Sequence, residues 1–405
     1  MRLLVVYPYA PYPVTRGTFQ RTFHLLRELA RRHEVDLFCL DEDGVAAPHQ
    51  GVFEAFCRRV HFHRFAHPPW PSLFPDRLLN LTPTTMRHWE DPTAQAALDH
   101  FAAGHDYDLI HFCDLVLWPY VRRLPHRASR VMDRSRVDLL FQTEELRTLK
   151  LTAKERWLRR ENLWKLRRVE RAASRDLTST VVCGPDDATF MRAHVRADAP
   201  IYVLPNGCDP TFYNQDNFPP QDPAVPTYLF CGAMDYSPNT DALSWYFDAI
   251  DPLVRVSMPS RQIKIVGRNP LPSVRAHGTL PGVEVTGEVT DVRPHYQTAH
   301  FQIVPLRIGG GTRLKIVESL SIGCPVVSTT LGAQGLDLVH DEHILLADTP
   351  QEFSAAIQHM ASDPALRARL RIAGRARVLE RYGWPGLTAL LDAHYQTIVT
   401  ASRHV

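Results

Sequence analysis

Three consecutive glycines, Gly309, Gly310 and Gly311, precede Thr312-Arg313-Leu314-Lys315 and an apolar run that reaches Gly323 and Pro325-Val326-Val327-Ser328. Glycine lets a ligand approach the backbone closely, and the N–H groups that open a helix have no partner within it. A strand, a glycine loop and a helix start therefore suit a phosphate. Arg313 and Lys315 put two cations into the first turn of the expected helix, residues 312–322. Cations there oppose the helix dipole, so an anionic ligand is expected to compensate. Glu318 lies one turn on, where a carboxylate can accept both hydroxyls of a ribose. Gly323 ends the helix, and a strand over 325–328 follows. The plainer alternative is an ordinary strand–loop–helix with surface charges.

Positioning such a loop requires strands, and the chain alternates strands and helices throughout. The first half reads as strands over 3–7, 35–40, 109–112, 130–132, 179–183 and 201–204, with a helix over 18–32 carrying Phe19, Phe23, Leu26 and Leu29 at helical spacing. The second half restarts at Tyr228–Cys231, with Asn239 as N-cap of a helix through Trp245. Strands over 263–266, 283–286 and 301–305 follow, and helices over 350–361, 365–382 and 384–400 close the chain. This order predicts two α/β domains built on parallel sheets. The prolines of Phe218-Pro219-Pro220-Gln221-Asp222-Pro223 mark a linker. The expected division is a first domain over 1–207, completed by 384–405, a linker over 208–226 and a second domain over 227–383. The proline- and aromatic-rich stretch 65–92 fits neither pattern.

Composition excludes several classes of function. The 405 residues carry 46 Lys and Arg against 44 Asp and Glu, so no global charge favours nucleic acid. The seven cysteines are scattered without a Cys-x-x-Cys, which fits small buried hydrophobes in a reducing compartment better than disulfides or zinc. No apolar run approaches the roughly 20 residues of a membrane span, and a cytoplasmic protein, soluble or peripheral at the membrane face, is expected.

In order and spacing the motifs resemble a known family. They are Pro13-Val14-Thr15-Arg16-Gly17-Thr18, Val203-Leu204-Pro205-Asn206-Gly207-Cys208-Asp209, Phe230-Cys231-Gly232-Ala233-Met234-Asp235-Tyr236-Ser237-Pro238-Asn239, Ile265-Val266-Gly267-Arg268, Val285-Thr286-Gly287-Glu288-Val289 and the glycine block. The chain resembles the family 4 retaining glycosyltransferases of the GT-B fold, closest to a branch linked to exopolysaccharide systems. The resemblance implies two Rossmann-like domains facing each other across a cleft, with the last helix crossing back to the first domain. It implies a nucleoside-diphosphate sugar as donor, a hydroxyl acceptor, and neither metal nor cofactor. Gly17 and Thr18 would lie near the donor phosphates. Gly232, Gly267, Arg268 and Val289 would border the donor, and Gly309, Gly310, Gly311, Thr312 and Leu314 would line the phosphate loop. Arg313 and Lys315 would neutralise the diphosphate and Glu318 would hold the ribose. Where relatives carry a histidine, this chain has Asp133, which could touch donor sugar or acceptor. Two departures stand out. The family's first loop glutamate is Gly310 here, and no cation follows the first strand of the second domain.

Other residues carry weaker signals. His111, with Asp114 nearby, falls at a strand end where it could serve the acceptor. His61, His63 and His67, and separately Asp41-Glu42-Asp43, lack the companions a metal site needs. From Arg147 to Arg175 eleven Lys and Arg face three Glu, with Trp157 and Trp164 interleaved. A basic amphipathic helix of this kind can lie on an anionic membrane, which suits a lipid-linked or glycan acceptor. Alternatively its tryptophans pack on the first domain. Two other functions stay open: a nucleotide-sugar epimerase on the same fold, and a non-catalytic nucleotide-sugar-binding partner.

Overall fold

In the computed structural model, described for residues 1–14, 17–42, 44, 47–67, 79–124, 127–148, 151–195, 200–308 and 313–403, the chain separates into two compact units. One comprises Met1–Pro205 with Leu387–Val405, the other Asn206–Gly386.

The first unit is built on seven parallel strands in the order β3-β2-β1-β4-β5-β6-β7. These are β1 (Arg2–Tyr7), β2 (Glu34–Glu42), β3 (Arg59–Phe65), β4 (Leu109–Cys113), β5 (Ser129–Arg134), β6 (Ser179–Val182) and β7 (Ile201–Val203). Central strands of a parallel sheet are covered on both faces, so they read as continuous apolar runs. Leu3, Leu4, Val5, Val6 and Tyr7 are all buried accordingly. β3 escapes this reading. Its sequence Arg-Val-His-Phe-His-Arg-Phe lies at the sheet edge, half-buried over most of its length.

The terminal helix Trp384–Arg403 completes this unit through Leu387, Leu391, Tyr395 and Val399, four residues apart and all buried. Polar contacts fix its register. Asp392 accepts from His33 at 2.7 Å, Tyr395 Oη meets His111 Nδ1 at 2.6 Å, and His394 Nε2 meets Ser179 Oγ at 2.9 Å.

The second unit has six parallel strands in the order β10-β9-β8-β11-β12-β13. They are β8 (Thr227–Cys231), β9 (Gln262–Val266), β10 (Val283–Gly287), β11 (Phe301–Val304), β12 (Val326–Ser328) and the short β13 (Leu345–Leu346). The stretch 208–226, expected to be a linker, is packed onto this unit. Cys208 and Tyr213 are core residues, the Cys208 N–H donates to the Tyr382 carbonyl at 2.8 Å, and Asp222 pairs with Arg367 at 3.0 Å. Proline prevents regular structure there but does not prevent docking. Asn239 is not an N-cap either. The helix runs Ser237–Trp245 with Tyr236 as its N-cap.

Among the described residues all seven cysteines are free and buried, and no helix is long and apolar enough to cross a membrane.

Tyr395→Ala should cost the first unit about 3–5 kcal/mol, the usual range for deleting a buried aromatic side chain. Urea unfolding followed by circular dichroism measures it. An unchanged midpoint would contradict the terminal helix as part of that core.

Candidate functional site

In a parallel sheet, ligands bind outside the carboxyl ends of the strands, where neighbouring strands lead off in opposite directions and leave a crevice. In the second unit that point lies between β8 and β11, because β8 pairs with β9 on its other side and β11 with β12. Gly232 follows β8, and the helix Leu314–Ser321 follows β11.

The loops leaving β8, β9 and β10 are stitched side by side. The Gly232 N–H donates to the Val266 carbonyl at 3.1 Å, the Gly267 N–H to Gly287 at 3.1 Å, and the Met234 N–H to Arg268 at 2.9 Å. Gly267 lies so close to Gly232 that a Cβ would collide with the Gly232 carbonyl oxygen. Over this floor stands Lys315. Its Nζ donates to Asn239 Oδ1 at 2.6 Å and sits 4.5 Å from the centroid of the Phe230 ring. Asn239 is held in turn by donating Nδ2 to the Ala233 carbonyl at 2.8 Å. A Cβ on Gly232 would stand 2.6 Å from Asn239 Nδ2 and 3.1 Å from Lys315 Nζ, so both glycines are required by close approach.

Burial pushes the Lys315 ammonium down to about 7. The Arg313 cation adds to this, while Cys231 and Glu318 oppose it. A lysine in this state gains charge when an anion arrives. Glu318, one turn along the helix, is half-buried and faces Lys315, Cys231 and Tyr296 electrostatically. Arg313 is 7% exposed and donates Nη2 to the Leu331 carbonyl at 3.4 Å. Arg268 contributes its carbonyl to the stitched loops, and Val289 packs half-buried against the core. Leu314 begins the helix. Gly309, Gly310, Gly311 and Thr312 lie outside the described residues. Thus Gly232, Gly267 and Lys315 come together as a group. Asn239, expected as a helix cap, and Phe230 complete it.

In the first unit Gly17 and Thr18 open the helix Gly17–Ala30. Two expectations there are corrected. Asp133 is completely buried, and its carboxylate is held by Arg21 Nε at 2.8 Å and Nη2 at 2.6 Å, a structural pair within the core. His111 is sealed inside β4 against Tyr395, and burial lowers it to about 4, leaving a neutral core histidine. His111 was placed by its strand position and Asp133 by the family resemblance, whereas their partners arrive from the last and first helices. His61 of β3 and His67 just beyond it are also occupied. His61 stacks on Phe38 at 5.3 Å, and His67 stacks on His88 at 4.1 Å while meeting Glu42 at 3.1 Å. Asp43 lies outside the described residues. Among those described, no three His, Cys, Asp or Glu are grouped to hold a metal ion.

Two doubly wound parallel sheets, with a lysine over glycine-floored loops at the switch point of the second, define a GT-B nucleotide-binding protein. Comparison with known proteins agrees with that class. Residues 15–212 match the family described as Glycosyltransferase Family 4, and residues 225–363 match Glycosyl transferases group 1. Successive stretches of the chain, one in each unit, thus match glycosyltransferase families. The alpha-1,3/1,6-mannosyltransferases of Homo sapiens and Mus musculus are 32% identical over 93 residues and 31% over 100, which is 23% and 24% of this chain. The chain spans only 20% and 21% of the length of those two enzymes. Similar folds include sucrose-phosphate synthase from Thermosynechococcus elongatus, with TM-score 0.70, 18% identity and 99% and 100% of the two chains covered. Anabaena HepE in complex with UDP and glucose has TM-score 0.63 and 14% identity, with 97% and 99% covered.

Lys315 bears directly on pH dependence. A bound diphosphate favours its charged form, so binding above pH 7 takes up a proton, and below that the lysine is already charged. UDP or GDP affinity should be level below about pH 7 and fall by up to about tenfold per pH unit above it. Calorimetry in buffers of different ionisation enthalpy reads the proton directly. Lys315→Ala should abolish the uptake and weaken binding by roughly 1.5–3 kcal/mol. Proton uptake that persists in the variant would exclude Lys315 as its source.

Proposed function

We propose that the protein transfers a sugar from a nucleoside-diphosphate sugar to a hydroxyl acceptor, with retention of anomeric configuration. The observation that carries this reading is the Lys315–Asn239 pair poised over Gly232 at the switch point of the second unit. In the reaction the bond between the anomeric carbon and the β-phosphate oxygen breaks, and its electron pair leaves with the diphosphate. The acceptor oxygen bonds to the anomeric carbon on the same face. Its proton passes to a leaving phosphate oxygen, so no protein base is required. Lys315 stabilises charge that develops on the leaving group, where a fixed donor acts most strongly. Glu318 takes the ribose hydroxyls, and Arg313 adds positive potential at the helix start. Because these groups supply the positive charge, turnover should continue in excess EDTA.

The purified protein should release sugar and nucleoside diphosphate from the nucleotide-sugar it binds best in a thermal-shift panel, and NMR of the first-formed product should show the donor's anomeric configuration. Binding without any release would favour the non-catalytic alternative. An inverted product would overturn the retaining step.

We also propose that the first unit contacts an anionic membrane surface from the cytoplasmic side, with an acceptor of surface-polysaccharide assembly carried on lipid. The support is the helix Ala153–Asp176. Trp157 and Trp164 are 49% and 58% exposed rather than packed on the sheet, and they share their face with exposed Arg160, Arg167 and Arg171. Arg159 belongs to another face, paired with Glu145 at 2.7 Å. Each cation near an anionic surface contributes about 1 kcal/mol. The protein should therefore pellet with phosphatidylserine vesicles at low salt and not with neutral ones. Reversing Arg160, Arg167, Arg168 and Arg171 to Glu should release it without altering nucleotide affinity. Equal recovery of wild type and variant with the vesicles would end the proposal.

A further inference from the structure

Between β11 and the helix Leu314–Ser321 the chain carries a basic side chain on either side of the glycine run, Arg307 before it and Lys315 after it. One helix, Ser237–Trp245, holds both. Asn239, near its start, takes Lys315 as described above. Asp241, two residues on, takes Arg307 as a two-pronged pair, with Nη2 on Oδ1 at 2.6 Å and Nε on Oδ2 at 3.1 Å.

Arg307 is seated by more than charge. Trp245 comes four residues after Asp241, so the two share a face of the helix. The guanidinium lies along that face, 5.4 Å from the centroid of the Trp245 ring. Trp245 packs edge-on in turn against buried Phe353, with ring centroids 6.0 Å apart. The backbone just ahead is also fixed. Buried Leu306 accepts at its carbonyl from Thr329 Oγ1, in the chain that leaves β12.

Stability alone does not call for such a seat. The Arg307 and Asp241 side chains are 46% and 29% exposed, and an ion pair in contact with water adds little to folding. The pairs that hold the cores are buried, as Arg21 with Asp133 and Arg261 with Asp251 are. Ligand binding gains more from it. Glycine loses more conformational freedom on ordering than any other residue. Pinning the chain on both sides of a glycine run leaves less ordering for a ligand to impose, and that gain appears as affinity.

We propose that Asp241 and Arg307 are positioning residues of the donor site. Their pair pins the chain that enters the glycine run, as Asn239 and Lys315 pin the chain that leaves it, and the site is thereby set for a diphosphate. The inference rests on the transferase reading above and deepens it. Neither residue touches the donor, and Asp241 acts through Arg307.

The test uses the whole protein with Asp241→Ala, Arg307→Gln and the two combined, with UDP, GDP and inorganic diphosphate as ligands in calorimetry. Each single variant should melt close to the wild-type temperature and bind the preferred nucleotide and inorganic diphosphate roughly three- to tenfold more weakly. The double variant should bind no more weakly than either single one, since the same pair is lost in all three. Proton uptake above pH 7 should survive, because Lys315 keeps Asn239, and in turnover KM for the nucleotide-sugar should rise more than kcat falls. Unchanged or tighter binding by Asp241→Ala beside weakened Arg307→Gln would make Arg307 a direct ligand and overturn the proposal. Losses that multiply in the double variant would overturn it too, as would melting several degrees lower in both single variants. A wild-type protein that binds none of the three ligands would instead overturn the transferase reading itself, and the positioning role with it.

Discussion

The α-carbon of Gly267 lies against the carbonyl oxygen of Gly232, with no room between them for a side chain. That contact governs the second unit's ligand-binding end. It allows the loops beyond β8 and β9 to run together, so that Gly232 bonds to Val266 and Met234 to Arg268 instead of diverging. It also leaves space for Asn239 and Lys315 directly above the backbone. A methyl group at either glycine would push the lysine out or part the strands. The positive charge therefore depends on residues with no charge of their own: two glycines for access, Phe230 for a floor and Asn239 for aim.

In the first unit a comparable constraint is the guanidinium of Arg21. It is wholly buried and takes the Asp133 carboxylate together with the carbonyl oxygens of Leu204 and Pro205 at 3.0 and 3.3 Å. Removing one partner of a buried pair leaves an uncompensated charge, at about 3–5 kcal/mol. The pair thus ties the first helix, β5 and the end of the first unit's main segment into one core.

The long helix Ala153–Asp176 shows the opposite case. It starts with a reciprocal cap between Thr152 and Glu155 and buries only a narrow stripe, including Leu166, Glu170 and Ala173. Most of its charge faces water, as expected for arginine and lysine. Two large exposed tryptophans on that same face are not expected, and their exposure separates an outward-facing surface from a helix braced on the sheet by its aromatic residues.

Much of the architecture was legible in the chain. Central parallel strands must be apolar throughout, so β1, β4 and β8 declare themselves, and the helices between them show their period. Lys315 and Glu318 drew notice in the sequence because a glycine run before a helix suits an anion. Edge strands such as β3 were not legible, since a half-exposed strand need not be apolar. The docking of residues 208–226 was hidden because proline reports on regular structure and not on packing. Asp133 and His111 were misplaced for a related reason. Strand position, or a relative's residue at the same place, puts a residue near a crevice, but whether its side chain is free depends on partners distant in sequence, here Arg21 and Tyr395. Sequence alone determined which residues could carry charge and which segments must be buried. Only the tertiary structure decided which charges are spent on one another, because a neutralising contact is made in space between segments whose local patterns are independent.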